Sequence, residues 1–159
     1  MSNKTKALKL AVSIIACLLA GFIGGIFTSS SVSTWYETLN KPSFSPPNWV
    51  FGPVWTLLYI LMGISFYIVW LKSFKEKEVK KAAAIFAVQL LLNMLWSILF
   101  FGLKSPLAAF IEVVLLWLAI CLTILQFSKI SKPAAYLLVP YILWVSFASV
   151  LNLAIVLLN

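Results

Sequence analysis

The chain has 159 residues, of which 63% are hydrophobic and 10% charged, and its mean hydropathy is +1.05. Soluble domains carry about 25% charged residues, so too little polar surface is present to coat a water-facing globule, and the chain is read as an integral membrane protein. With no His, no Asp and four acids (Glu37, Glu76, Glu78 and Glu112), nucleophile–base triads of the usual kind are excluded. The two cysteines, Cys17 and Cys121, lie in separate apolar runs and make neither a disulfide framework nor a metal site, and no cofactor is expected. The net charge of +8 comes from lysines set between apolar blocks, which fits membrane topology better than nucleic-acid binding.

A membrane-crossing helix needs roughly 20 apolar residues. Unbroken apolar length predicts five spans, at about residues 8–27, 50–71, 82–101, 106–127 and 134–158, forming one all-α five-helix membrane domain with no room for a soluble one. The first span follows Lys4 and Lys6. Its basic start resembles a signal peptide, and Ile14-Ile15-Ala16-Cys17 resembles a lipoprotein cleavage box, but the apolar run continues to Phe27, so it is read as a retained span. Gly21 and Gly25 form a small-xxx-small pair, whose close-packing partner is either another helix of the chain or a second copy.

The connection 28–49 is long for a link between spans and shows little helical signal. It carries Trp35-Tyr36 and ends in Lys41-Pro42-Ser43-Phe44-Ser45-Pro46-Pro47-Asn48-Trp49. Because proline restricts the backbone, this tail is expected to hold Tyr36 and Phe44 over an opening, as a lid.

Three later spans carry matching stripes. Trp55, Tyr59, Gly63 and Phe66 share one face of span two, Gln89, Asn93 and Trp96 one face of span three, and Trp144, Ala148 and Asn152 one face of span five. Trp55 and Trp96 each fall about 8 Å below a lid-side span end and Asn93 roughly 12 Å below it, deeper than an interfacial belt of aromatics reaches. Trp49 and Trp70, near span ends, suit such a belt. Overlapping depth on three helices beneath one loop predicts a pocket. Glu112, the single acid inside a span, is expected to face the bundle interior in neutral form, either as a ligand or proton site or as a helix-packing hydrogen bond.

Lysines set the orientation. Lys4, Lys6, Lys9, Lys72, Lys75, Lys77, Lys80, Lys81, Lys129 and Lys132 fall on one side and only Lys41 and Lys104 on the other, which predicts a cytoplasmic N-terminus, an external lid and an external C-terminus.

The residues Trp35-Tyr36, Lys41 through Trp55, Gln89 with Asn93, Trp96-Ser97-Ile98-Leu99-Phe100-Phe101-Gly102, Pro140-Tyr141, Trp144, Phe147-Ala148 and Leu151-Asn152 resemble the tryptophan-rich sensory protein and translocator protein family, also called the peripheral benzodiazepine receptor family. The resemblance covers nearly the whole chain. It implies a five-helix bundle, commonly homodimeric, that binds tetrapyrroles such as protoporphyrin IX and drugs of the isoquinoline carboxamide or benzodiazepine type. Positions matching that family's ligand pocket are Tyr36, Pro46, Trp55, Tyr59, Asn93, Trp96, Trp144 and Ala148; Gln89, Glu112 and Asn152 are further candidates from the stripes and from intramembrane polarity. The animal members' cholesterol-recognition stretch after the fifth helix has no match here, and the chain is read as a bacterial plasma-membrane member.

The resemblance also implies light-dependent oxidative breakdown of protoporphyrin. Without acid–base machinery the porphyrin itself must supply the photochemistry, and Trp55 and Trp144 are the oxidisable rings expected to take part. Rival readings are a transporter of tetrapyrroles or lipids, which would need a polar route through the half of the bundle away from the lid, and a sensor acting through a partner protein.

Overall fold

An apolar run in a bilayer must satisfy its backbone polar groups internally, which a helix does. The computed structural model describes residues 2–72 and 76–159, and Lys75 of the lysine cluster lies outside them. Among the described residues there is no strand, and five stretches are long and apolar enough to cross a membrane: Asn3–Ser31, Asn48–Trp70, Lys77–Gly102, Pro106–Ile130 and Lys132–Leu158. These correspond to the five predicted spans with shifted ends. The element order is α1 (Asn3–Ser31), α2 (Trp35–Thr38), a 3-10 turn at Asn48–Val50, α3 (Phe51–Trp70), α4 (Lys77–Ser97), a π turn at Ile98–Gly102, α5 (Pro106–Ile130), α6 (Lys132–Tyr136) and α7 (Val139–Leu158).

Local chemistry explains the boundaries. Ser2 caps α1 by accepting a bond from the Thr5 amide at 3.2 Å. Pro106 opens α5, where its missing N–H is harmless. The fifth span, expected as one helix, is two: it breaks at Leu137–Leu138, just ahead of Pro140, which has no N–H to give the preceding turn. Ser65 on α3 donates to the Ala134 carbonyl at 2.7 Å, binding this break to the neighbouring helix. At its end α4 widens into the π turn, closed by Leu103 N–H to Ile98 O at 2.7 Å, and Lys104 turns the chain with φ 53°.

The lid also departs from expectation. Helix α1 runs on to Ser31, and Trp35–Thr38 is helical, so the connection is shorter and more ordered than its composition implied. It then follows α7: Asn40 and Asn159 pair through Asn40 N–H to Asn159 Oδ1 (2.9 Å) and Asn159 Nδ2 to Asn40 O (3.0 Å), and Phe44 meets Phe147 edge-on at 6.3 Å.

Glycine contacts bring α1 against α3. A Cβ added at Gly63 would stand 2.6 Å from the Ile14 backbone, and one at Gly21 2.3 Å from the Tyr59 ring, so Gly21 serves packing within the chain. Gly63→Ala is therefore expected to force the helices apart and cost about 1–3 kcal/mol. Thermal unfolding in detergent checks this, with Gly52→Ala, where an added Cβ has open space, as the control.

Away from the lid the core is apolar and aromatic. Phe86 stacks between Phe66 (4.8 Å) and Phe127 (5.7 Å), with Met62, Val69, Val79 and Ile120 fully buried around them.

Candidate functional site

Toward the lid the helices diverge around a cavity of about 500 Å³. Trp55 and Tyr59 reach it from α3, Asn93 and Trp96 from α4, and Trp144, Ala148 and Asn152 from α7, with Tyr36 contributed by the lid. These members of the three helical stripes line one cavity, whereas Gly63, Phe66 and Gln89 do not.

Each aromatic is held in place. Trp55 stacks on Tyr59 at 5.6 Å and meets Tyr141 edge-on at 6.2 Å. Trp96 stacks on Phe100 at 5.2 Å, and its indole N–H donates to Asn152 Oδ1 at 3.1 Å. Asn152 in turn donates to the Pro106 carbonyl at 2.9 Å, so this residue fixes the Trp96 ring and joins α5 to α7. Trp144 lies against Phe51 and Phe147, at 6.2 and 5.3 Å, and its buried Nε1 has no hydrogen-bond partner among the described residues. Asn93 accepts the Tyr59 hydroxyl proton and donates to the Tyr141 oxygen at 3.0 Å.

Tyr36, on α2 and 2% exposed, completes this wall and packs on Phe100 and Phe101 at 6.0 and 5.7 Å. Lys41 lies over the Tyr36 ring at 4.6 Å and donates to its carbonyl at 3.0 Å, a cation–π contact that ties the lid to itself. Burial raises the Tyr36 hydroxyl above its ordinary value, while its hydrogen bond with Ser45 acts in the opposite direction. The hydroxyl therefore stays protonated at neutral pH.

Three of the sequence-derived positions are not in the cavity wall. Pro46 belongs to the lid but lies outside the lining. Gln89 is buried behind Asn93 and accepts from Tyr141 at 2.9 Å. Glu112 is buried in α5, and neither carboxylate oxygen has a hydrogen-bond partner among the described residues.

Other lining residues escaped the sequence reading. One wall is α1, through Gly21, Gly25 and Thr28, and the π turn contributes Phe100 and Phe101. The signal was present in the first case: Gly21, Gly25 and Thr28 share a helical face, which small residues leave open for a ligand as readily as for a helix. At Gly25 an added Cβ would meet no atom of another described residue within 4 Å. Among the described residues no group of three or more His, Cys, Asp or Glu could hold a metal and no charged side chain lines the cavity, so what the site offers is aromatic surface with a few hydrogen-bonding groups.

Fold and site together define a five-span membrane protein with an internal aromatic pocket under a lid. The sequence model of the TspO/MBR family matches residues 13–158. The chain is 51% identical over 152 residues to the tryptophan-rich protein TspO of Chlorobaculum tepidum, covering 96% of each chain. It is 54% identical over 153 residues to that of Archaeoglobus fulgidus, covering 96% of this chain and 97% of the relative. With the human translocator protein it shares 39% over 140 residues, 87% of this chain and 82% of the relative. The chain belongs to the TspO/MBR family.

Proposed function

We propose that the chain binds a planar tetrapyrrole, protoporphyrin IX being the ligand that best suits the pocket, and promotes its light- and oxygen-dependent breakdown. The observation that carries this reading is the convergence of Trp55, Trp96 and Trp144 on one cavity whose floor is Tyr59 and Asn93. Indole faces suit a flat macrocycle through stacking, and the floor supplies directional hydrogen bonds. Isoquinoline carboxamide and benzodiazepine-type drugs, also flat and apolar with a carbonyl acceptor, suit the same walls. Under illumination the excited porphyrin transfers excitation to O2, whose oxygens add across a macrocycle double bond, or it takes an electron from an indole and passes it to O2; the indole then regains its electron from the macrocycle and the superoxide adds to the resulting porphyrin radical cation, so that in either route O2 is incorporated into the opened ring. The protein contributes a fixed orientation and oxidisable neighbours.

Titration with protoporphyrin in the dark, followed by tryptophan fluorescence, is expected to show saturable quenching. Quenching that rises linearly with porphyrin, without saturation, would contradict a site.

Transport is the rival reading. The stacked Phe66, Phe86 and Phe127 fill the bundle beyond the pocket floor, where a through-route would run, and this favours binding over passage. Porphyrin flux into sealed liposomes above the protein-free rate would reverse that preference.

The membrane is inferred to be a bacterial plasma membrane, with the lid outside, the N-terminus inside and the chain paired as a homodimer. The lysine distribution supports the orientation. In a background lacking Cys17 and Cys121, Ser33→Cys is expected to react with an impermeant thiol reagent in intact cells and Glu76→Cys only after lysis; both residues are exposed. Labelling of Glu76→Cys in intact cells would invert or break the topology.

A further inference from the structure

The pocket floor is one end of a buried hydrogen-bond chain. Tyr59 donates its hydroxyl proton to Asn93 Oδ1, Asn93 Nδ2 donates to the Tyr141 oxygen at 3.0 Å, and Tyr141 donates to Gln89 Oε1 at 2.9 Å. All four side chains are buried, but only Tyr59 and Asn93 line the cavity. The inner end is uneven: Gln89 Oε1 is engaged while its Nε2 has no hydrogen-bond partner among the described residues.

Every link of this chain reverses without loss of a bond. A hydroxyl both donates and accepts, and a primary amide carries an acceptor and a donor that exchange places on rotation by half a turn. In the reverse direction Gln89 Nε2 donates to Tyr141, Tyr141 to Asn93 Oδ1, and Asn93 Nδ2 to the Tyr59 oxygen. No proton leaves its residue, and each direction has three bonds. The two differ at the cavity. In the observed direction the Tyr59 proton is committed to Asn93 and its oxygen is left to accept; in the reverse direction the Tyr59 O–H is free to donate to a ligand.

We propose that this chain is a reversible polarity selector for the pocket: Gln89 and Tyr141, which do not touch the cavity, set whether Tyr59 meets a ligand as acceptor or as donor. This gives one apolar site the means to take both hydrogen-bond-donating and hydrogen-bond-accepting flat ligands with the Tyr59 hydroxyl paired in each case. The proposal rests on the reading of the cavity as a ligand site.

Gln89→Met keeps the side-chain length and removes the acceptor for Tyr141. The Tyr141 proton then turns to Asn93 and the chain is held in the reverse direction, with Tyr59 donating to the pocket. Two planar tricyclic probes report this: acridine, whose ring nitrogen accepts, and carbazole, whose N–H donates. In Gln89→Met the acridine-to-carbazole affinity ratio is expected to rise about tenfold, the worth of one hydrogen bond. In a Tyr141→Phe background, which severs the chain, Gln89→Met is expected to leave the ratio unmoved. Should Gln89→Met fail to fold, Gln89→Leu removes the same acceptor.

An unchanged ratio in a folded Gln89 variant, with both probes still bound, overturns the selector while leaving the pocket intact. A shift that persists in the Tyr141→Phe background also overturns it, because the effect would then not travel through the chain. Failure of wild-type protein to bind either probe removes the pocket reading, and the selector with it.

Discussion

Trp144→Phe is expected to slow light-driven loss of bound protoporphyrin roughly tenfold, equivalent to ~1.4 kcal/mol on the barrier, while changing dark affinity by less than about threefold. Phenylalanine keeps an apolar ring against Phe51 and Phe147, so the wall persists. What is lost is the indole, the more readily oxidised ring, together with its buried N–H. Trp55→Phe is expected to behave in the same way, since Trp55 lies stacked on Tyr59 at the cavity floor. Porphyrin absorbance under constant illumination, compared at matched occupancy and repeated without oxygen, checks both. Equal rates for wild type and both variants would leave the protein as a passive binder, and loss at an equal rate in the dark would exclude photochemistry.

Ala148→Thr is expected to weaken binding of protoporphyrin and of an isoquinoline carboxamide by about tenfold or more, because overpacking a filled site costs on the order of 1–3 kcal/mol. Ala148 lies one helical turn beyond Trp144 and faces the cavity. The added hydroxyl can bond back to the carbonyl four residues earlier, so the helix tolerates it and the cost falls on the ligand. Calorimetric titration with each ligand, alongside an unfolding curve, separates the two effects. Unchanged binding of both ligands would move the site away from α7.

The stripes were legible because helical periodicity and apolar length are local properties. Trp144, Ala148 and Asn152 repeat every four residues, which places them along one face of a helix, and the apolar length around them is that of a spanning helix. Depth then brought Asn93 and Trp96 to the same level as Trp55. The same stripes did not reveal which members face the ligand: Gly63 serves the crossing with Ile14, Phe66 stacks on Phe86, and Gln89 sits one layer behind Asn93. Helix rotation and tilt decide that, and they depend on packing between helices remote in sequence. The π turn at Ile98–Gly102 and the break ahead of Pro140 are backbone events. The proline was visible in the sequence, but the Ser65 hydroxyl bound to Ala134 O is a contact across 69 residues. The clasp between Asn40 and Asn159 was equally hidden, since two exposed asparagines carry no pattern of their own. The wall formed by α1 was hidden for a different reason. Its glycines read as a packing seam, and Gly21 is one, whereas Gly25 one turn further opens onto the cavity.

A planar tetrapyrrole, the proposed occupant of the cavity bounded by Trp55, Trp96 and Trp144, is detected there by circular dichroism of protoporphyrin in the dark, titrated against the protein in lipid nanodiscs. A free or lipid-dissolved porphyrin is achiral, whereas one held among fixed aromatic rings acquires a signal in its main visible band. The expected result is an induced signal that saturates at one porphyrin per chain and is abolished by Ala148→Trp, which fills the cavity. No induced signal, or one that survives Ala148→Trp in a folded protein, would contradict the assignment.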